Sequence, residues 1–187
     1  MIKRILALAI VLATVLMVLA SCSDTDKNDN PPPTDLEENP EGDFKYKYDA
    51  SINGVVITEY IGDKIKVRIP EKIEGEPVVA IGDRAFQNSG IMEIYIPNSV
   101  TLIGISAFNG CTGLTDITIP DSVTLIGSAA FVYCTGLTSI TIPDSMTQIG
   151  DEAFYGCTGY ATYKDNTYDL SNSDDVNALC AAINGGQ

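Results

Sequence analysis

The chain contains no histidine among its 187 residues. This absence excludes every mechanism that uses a histidine base or a histidine metal ligand, including Ser-His-Asp and Cys-His pairs. A carboxylate pair could still hydrolyse a glycoside, but the acidic residues lie in the N-terminal segment, in turns and at scattered outer positions. We therefore predict that the protein is not an enzyme and uses no cofactor, with a carboxylate-dependent hydrolase as the less favoured alternative.

Basic residues are also scarce. The 11 lysines and arginines stand against 25 aspartates and glutamates, which gives a net charge of −14. Nucleic acids and anionic lipid surfaces are bound through basic patches. The charge balance therefore argues against nucleic acid as a partner and against direct adsorption to a membrane surface.

A long apolar run occurs at the N-terminus, where residues 5–20 follow Lys3 and Arg4. The run is short for a membrane span, which needs roughly 20 apolar residues, and it predicts a secretion signal. It ends in Leu19-Ala20-Ser21-Cys22, which resembles the lipobox of bacterial lipoproteins. The resemblance implies that residues 1–21 are a lipoprotein signal peptide and that acylated Cys22 anchors the protein to a membrane through lipid alone. An ordinary signal peptide with a chance cysteine is the alternative.

Residues 22–43 are acidic and contain Pro31-Pro32-Pro33. Such a segment cannot bury enough apolar area to offset its ordering entropy, so we predict a disordered tether. Its early acids resemble the export signal that places some lipoproteins on the outer face of the outer membrane. That resemblance implies a lipid-anchored, extracytoplasmic location at the outer membrane or cell surface.

A fixed period governs the rest of the chain. Phe108, Phe131 and Phe154 are 23 residues apart, and so are the cysteines of a second column. A period of this length is typical of stacked repeats, in which each unit buries its apolar side chains against its neighbours. We predict that residues 44–187 form one β-rich repeat solenoid.

Each end of this solenoid has its own pattern. Alternating runs on either side of Asn53-Gly54 predict a hairpin that forms an N-terminal cap over residues 44–64. After the last repeat, residues 160–168 predict a second hairpin. A short helix follows, capped by Ser173 and ended by Gly185, and completes a C-terminal cap over residues 160–187.

The repeat motif I-G-x-x-A-F-x-x-C-x-x-L-x-x-I-x-I-P-x-S, as at Ile103-Gly104 and Ala107-Phe108, resembles the BspA-like leucine-rich repeats of bacterial surface proteins. The resemblance covers roughly residues 54–170. It implies a short right-handed stack with a parallel sheet on one side and short helical or 3-10 turns. It also implies surface display and a role in adhesion or in binding host and matrix proteins. The chain departs from the general leucine-rich-repeat pattern where Ser99, Ser122 and Ser145 replace the ladder asparagine.

The repeated cysteines, Cys111, Cys134 and Cys157, should be stacked roughly 5 Å apart. A disulfide or a thiolate metal site is one interpretation, and a buried apolar ladder is the other. We favour the ladder, because in-register parallel side chains have poor disulfide geometry and three stacked thiols do not form a tetrahedral site.

A polar column follows the repeat prolines at Asn98, Asp121 and Asp144. It could bind Ca²⁺ weakly, but only two members are acids and Ca²⁺ takes about 6–8 oxygen ligands. We interpret the column as turn chemistry and predict no metal site.

Outward-facing strand residues form the candidate binding site. If Val67, Ile94, Ile117 and Ile140 point inward, their neighbours point outward by the two-residue period of a strand. One outward column is then Lys66, Glu93, Asp116 and Ser139, and the other is Arg68, Tyr95, Thr118 and Thr141. We predict that this face of a monomer binds a host or matrix protein or a glycan. The alternative is a structural envelope spacer whose threonines reflect strand propensity alone.

Overall fold

The computed structural model describes residues 37–185. The predicted signal peptide, Cys22 and the tether as far as residue 36 lie outside the described residues. Within residues 37–185, no helix combines the length and the apolar character that crossing a bilayer requires.

Short strands dominate the chain, with a single α-helix following them in the described residues. The strands are β1 Phe44–Asp49, β2 Gly54–Tyr60, β3 Lys66–Arg68, β4 Lys72–Ile73, β5 Glu76–Ile81, β6 Glu93–Tyr95, β7 Leu102–Ile103, β8 Asp116–Thr118, β9 Leu125–Ile126, β10 Ser139–Thr141, β11 Gln148–Ile149, β12 Tyr160–Tyr163 and β13 Asn166–Asp169, followed by helix α1 Ser173–Asn184. A 3-10 helix, Glu41–Asp43, precedes them.

These strands form two sheets rather than one. Sheet 1 has the order β1-β2-β5-β7-β9-β11, with β4 beside β5, and sheet 2 has the order β13-β12-β10-β8-β6-β3. Strands from successive coils pair in parallel, as β6 and β8 do, and antiparallel pairs occur at the hairpins, as in β1–β2 and β12–β13. The expected parallel sheet on one side is present as sheet 2, and segments such as Leu102–Ile103 form a second ladder that was not predicted.

The core is a set of columns in which each side chain stacks on its equivalent one coil away. Phe86, Phe108, Phe131 and Phe154 are at most 1% exposed. Successive rings in this column have centroids 5.2 to 5.5 Å apart. Tyr60 extends the column, with its ring centroid 5.3 Å from that of Phe86. The predicted repeat solenoid is thereby confirmed, and its first coil uses a tyrosine where the others use phenylalanine.

Close stacking of the coils depends on a glycine column. A Cβ atom on Gly127 would lie 2.7 Å from the carbonyl carbon of Gly104, which is too close for any side chain. The segments that follow these glycines are consecutive turns rather than 3-10 helices. Ser106 and Ala129 adopt positive φ angles of 54° and 57° there, a conformation that disfavours residues with a Cβ.

Two of the serines that replace the ladder asparagine bond to the backbone of the preceding coil. Ser122 Oγ donates to the carbonyl oxygen of Val100 at 2.6 Å, and Ser145 Oγ donates to that of Val123 at 3.2 Å. The Ser122 and Ser145 hydroxyls each reach the preceding coil, so these two polar groups are satisfied without an asparagine. Ser99 Oγ, in the first position of the column, is buried without a hydrogen-bond partner among the described residues.

Both predicted caps are present. The N-terminal hairpin β1–β2 joins sheet 1 through the parallel pairing of β2 with β5. At the other end, Leu179 and Ile183 of α1 are buried. The helix ends at Gly185 as predicted, but its N-cap is Asn172, whose side chain accepts from the Asp174 N–H at 2.9 Å. The prediction of Ser173 as the cap is wrong by one residue, because Ser173 is already helical.

The folded region begins earlier than the predicted boundary at residue 44. Asn39 is only 2% exposed. Its N–H donates to the Arg68 carbonyl at 2.9 Å, and its Oδ1 accepts from the Arg68 N–H at 2.9 Å. Asn39 thus satisfies the outer edge of β3, which acidic composition alone could not reveal.

Candidate functional site

The predicted outward columns lie side by side on sheet 2. Register places Lys66 beside Glu93 and Arg68 beside Tyr95, and Thr118 beside Thr141. The intervening residues Val67, Ile94, Ile117 and Ile140 are at most 4% exposed, as the two-residue period predicts. The eight predicted residues are all exposed or half-exposed. We call this surface the strand face.

The strand face continues beyond the repeats. Tyr160 pairs with Ser139 and Thr162 with Thr141, and β13 adds Thr167 and Asp169 in the same register. The prediction stopped at β10 because the motif breaks after Cys157, although the alternation in Tyr160–Tyr163 was a usable signal. Six strands make the face about 24 Å long at roughly 4.8 Å per strand.

Charge is concentrated at the β3 end of the strand face. Lys66 Nζ lies 2.7 Å from Glu93 Oε2, and the Arg68 guanidinium lies 5.3 Å from the centroid of the Tyr95 ring. Arg68 Nη2 also lies 3.9 Å from Glu38 Oε1. Such exposed ion pairs contribute little to stability, about 0–1 kcal/mol each. The other end carries hydroxyl groups, the exposed Tyr160 ring and the single carboxylate of Asp169. The two ends of the face therefore differ chemically, and the cations lie at the β3 end.

Two described aspartates have pKa values shifted in the direction opposite to that of a general acid. The Ser51 hydroxyl lowers the pKa of Asp49, and the Ser171 hydroxyl lowers that of Asp169. A general acid needs the opposite shift, because it must hold its proton near neutral pH. Among residues 37–185, no group of three or more histidine, cysteine or acidic side chains is arranged to hold a metal ion.

The cysteine column is a buried row of free thiols. Cys134 Sγ donates to the Phe108 carbonyl at 3.2 Å, and Cys157 Sγ donates to that of Phe131 at 3.1 Å. Ser89 stands in the same column, with its Oγ 3.3 Å from Cys111 Sγ. Burial raises the pKa of Cys157 to about 11. A buried, protonated thiol is neither a nucleophile nor a metal ligand, so this column belongs to the core.

A family model of the BspA type leucine rich repeat region matches six copies within residues 76–168. The solved structure of a T. pallidum leucine rich repeat protein is 37% identical, with a TM-score of 0.62, over 63% of this chain and 56% of that one. A leucine-rich repeat protein from Bacteroides ovatus is 34% identical, with a TM-score of 0.58, over 67% of this chain and 34% of that one. A third, from Bacteroides capillosus, is 28% identical, with a TM-score of 0.58, over 65% of this chain and 96% of that one.

The chain therefore spans about half of the T. pallidum protein and about a third of the B. ovatus protein. A search of the curated proteins finds no match. The matched proteins share with this chain the leucine-rich repeat and the fold that the repeat produces.

Proposed function

We propose, because the chain belongs to the family of BspA-type leucine-rich repeat proteins, that it is a surface-anchored binding module that holds its partner on the strand face. The family supports a protein-interaction or structural module rather than an enzyme. The partner class is a host or matrix protein or a glycan. We infer the location from the predicted signal sequence and from the lipobox-like motif that ends at Cys22, both of which lie outside the described residues.

The observation that carries the proposal is the in-register strand face itself. Core residues such as Ile94 and Ile117 fix its backbone, so the outward side chains are held in rows without needing a partner to order them. A preorganised surface loses less conformational entropy on binding than a flexible one. The face also combines Arg68, the half-exposed Tyr95 and the exposed Tyr160, and arginine and tyrosine are the residue types enriched in binding hot spots.

The size of the face limits how tightly one copy binds. A length of about 24 Å and a strand width of three residues, about 10 Å, give roughly 240 Å². A standard interface buries about 800 Å² per partner. We therefore expect weak binding by one molecule and strong binding by many copies anchored on one surface, because linked sites act at high effective concentration.

The test is a binding array of host glycoproteins, matrix proteins and polysaccharides, probed with the protein displayed in many copies. For any partner found, Arg68→Ala combined with Tyr95→Ala should weaken binding, because it removes the stacked pair at the charged end of the face. The matched control is Lys47→Ala combined with Tyr48→Ala, which removes a cation and an exposed tyrosine from β1 in sheet 1.

Equal binding by the two double variants would contradict the strand face as the site. Failure of the multivalent protein to bind anything in the array would favour the alternative of a structural envelope spacer. The threonine-rich part of the face favours that alternative, since Thr118, Thr141 and Thr162 are suited to strands whether or not a ligand is present.

A further inference from the structure

A concave surface lies at the opposite end of the repeat stack from the charged part of the strand face. Helix α1 and the last repeat coil enclose a groove of about 680 Å³, which we call the cap groove. Tyr133 and Tyr155 form one wall, and Leu170 and Val176 contribute apolar surface on the helix side. This volume is within the range of about 300–1,000 Å³ that is typical of ligand sites.

Tyr133 is held in an unusual backbone conformation. Its φ angle is 57°, and the equivalent positions in other coils, Asn88, Gly110 and Gly156, have φ angles of 57°, 74° and 75°. Glycine and asparagine adopt this left-handed region readily, whereas a bulky side chain is disfavoured there. The other coils show that folding does not need a ring at this position. Backbone strain of this kind is concentrated at functional sites.

The two tyrosines form a corner that is open to solvent. Their ring centroids are 5.7 Å apart, and the ring planes are inclined at 70°. Tyr133 is 53% exposed and Tyr155 is 58% exposed. Gly156 makes room for this arrangement, because a Cβ there would lie 2.5 Å from Tyr133 Cδ1. Two exposed rings in an edge-to-face arrangement therefore line one groove.

The charges around this corner have one sign. Asp151 and Glu152 line the cap groove, and no lysine or arginine is among the described residues that line it. Burial raises the pKa of the Cys180 thiol, and the negative charge of Asp151 raises it further. Within the described lining, the negative charge of Asp151 and Glu152 is thus not offset by a basic side chain.

We propose that the cap groove binds a lysine side chain of a partner polypeptide, independently of the strand face. A cation is attracted both to aromatic ring faces and to carboxylates. A compact ammonium group fits into a corner between two rings, whereas a planar guanidinium stacks best on a single face. The lysine stem is apolar and packs against surfaces such as Leu170 and Val176. The groove is much larger than an ammonium group, so it has room for the residues that flank the lysine.

The experiment uses a soluble peptide of alternating lysine and alanine, and a matched peptide with norleucine in place of lysine. Norleucine keeps the apolar stem and removes the charge. We expect the lysine peptide to bind and the norleucine peptide to bind at least about tenfold more weakly, since tenfold corresponds to about 1.4 kcal/mol, within the range of a desolvated cation–π contact.

Two variants locate the site. Tyr133→Gly removes the ring and leaves a residue suited to the positive φ angle, so the fold is retained, and circular dichroism checks this. Asp151→Asn removes the charge. Each should weaken lysine-peptide binding several-fold, whereas the control Asp165→Asn, which removes the same charge in the exposed β12–β13 turn, should leave it unchanged.

Three results would overturn the proposal. Binding of the norleucine peptide as tight as that of the lysine peptide would show that the ammonium is not recognised. An equal effect of Asp165→Asn and Asp151→Asn would indicate general attraction to an acidic protein. Butylammonium binding as tightly as the peptide would show that the groove takes a free small cation rather than a polypeptide.

Discussion

Truncation of Phe131 to alanine tests the stacked core most directly. Phe131 is 0% exposed, and its ring contacts Phe108 at a centroid distance of 5.2 Å and Phe154 at 5.5 Å, nearly parallel in both cases. Removing a buried phenylalanine costs about 3–5 kcal/mol. Within that total, each aromatic pair accounts for about 0.5–1.5 kcal/mol. Because the truncation removes two such ring contacts, we expect a value at the upper end of the range, about 4–5 kcal/mol.

The assay is equilibrium urea unfolding followed by far-ultraviolet circular dichroism, with the slope m compared between proteins. A constant m shows that the variant unfolds as the same cooperative unit, which must be checked in a repeat array. Phe154→Ala is the matched control, since Phe154 is equally buried but its ring contact within residues 37–185 is with Phe131 alone. It should cost about 0.5–1.5 kcal/mol less.

Thr118→Ala gives the outer reference. Thr118 is half-exposed on the strand face, so its truncation should change the free energy of unfolding by no more than about 0.5 kcal/mol. A loss for Phe131→Ala smaller than that for Thr118→Ala would refute the assignment of inside and outside. Equal losses for Phe131→Ala and Phe154→Ala would refute the contribution of the ring column.

Two other measurements follow from the structure. The pKa of Cys157 is raised from 9.0 to about 11 by burial, so the unfolded chain loses this proton first. Stability from this group is complete below pH 9.0 and should fall as the pH rises towards about 11, which urea midpoints at several pH values will show. Cys157→Ser should reduce the loss of stability with rising pH. An unchanged slope of the urea midpoint against pH would contradict the assignment of this loss to Cys157. Asn184→Ala should cost about 1–3 kcal/mol, because Asn184 Nδ2 and Oδ1 each bind the Ile149 backbone at 2.9 Å. Hydrogen exchange at the Ile149 amide should then accelerate, whereas Asn166→Ala, which removes an exposed bond to Lys164, should leave it slow.

Periodicity predicted the parts of the fold in which one coil repeats the next. The columns of Phe108 and Cys111 were placed correctly because a residue that recurs every 23 positions must occupy the same place in every coil. The inward direction of Ile117 followed from strand alternation. The helix over 173–184 followed from its apolar spacing and Gly185, and only its cap was misplaced.

The features that were missed depend on contacts between residues distant in sequence. Asn39 belongs to the fold through its hydrogen bonds to Arg68, and no pattern in the sequence near Asn39 predicts these bonds. Only the hairpin β1–β2 of sheet 1 was predicted. The strands that the coils add to this sheet were missed because they are as short as two residues, such as Leu125–Ile126, too short to show alternation. The corner formed by Tyr133 and Tyr155 joins residues of different columns, so comparison within one column could not find it.

The asparagines at the two ends have a consequence for how this architecture changes size. Asn39 and Asn184 bind the backbone of a terminal strand, and neither contact depends on how many coils lie between them. Duplicating one 23-residue unit would lengthen the protein by about 4.8 Å without redesign of either end. Insertion of whole units therefore enlarges the protein without disturbing its core. Insertion of a partial unit would misalign the stacked side chains of every column that follows it.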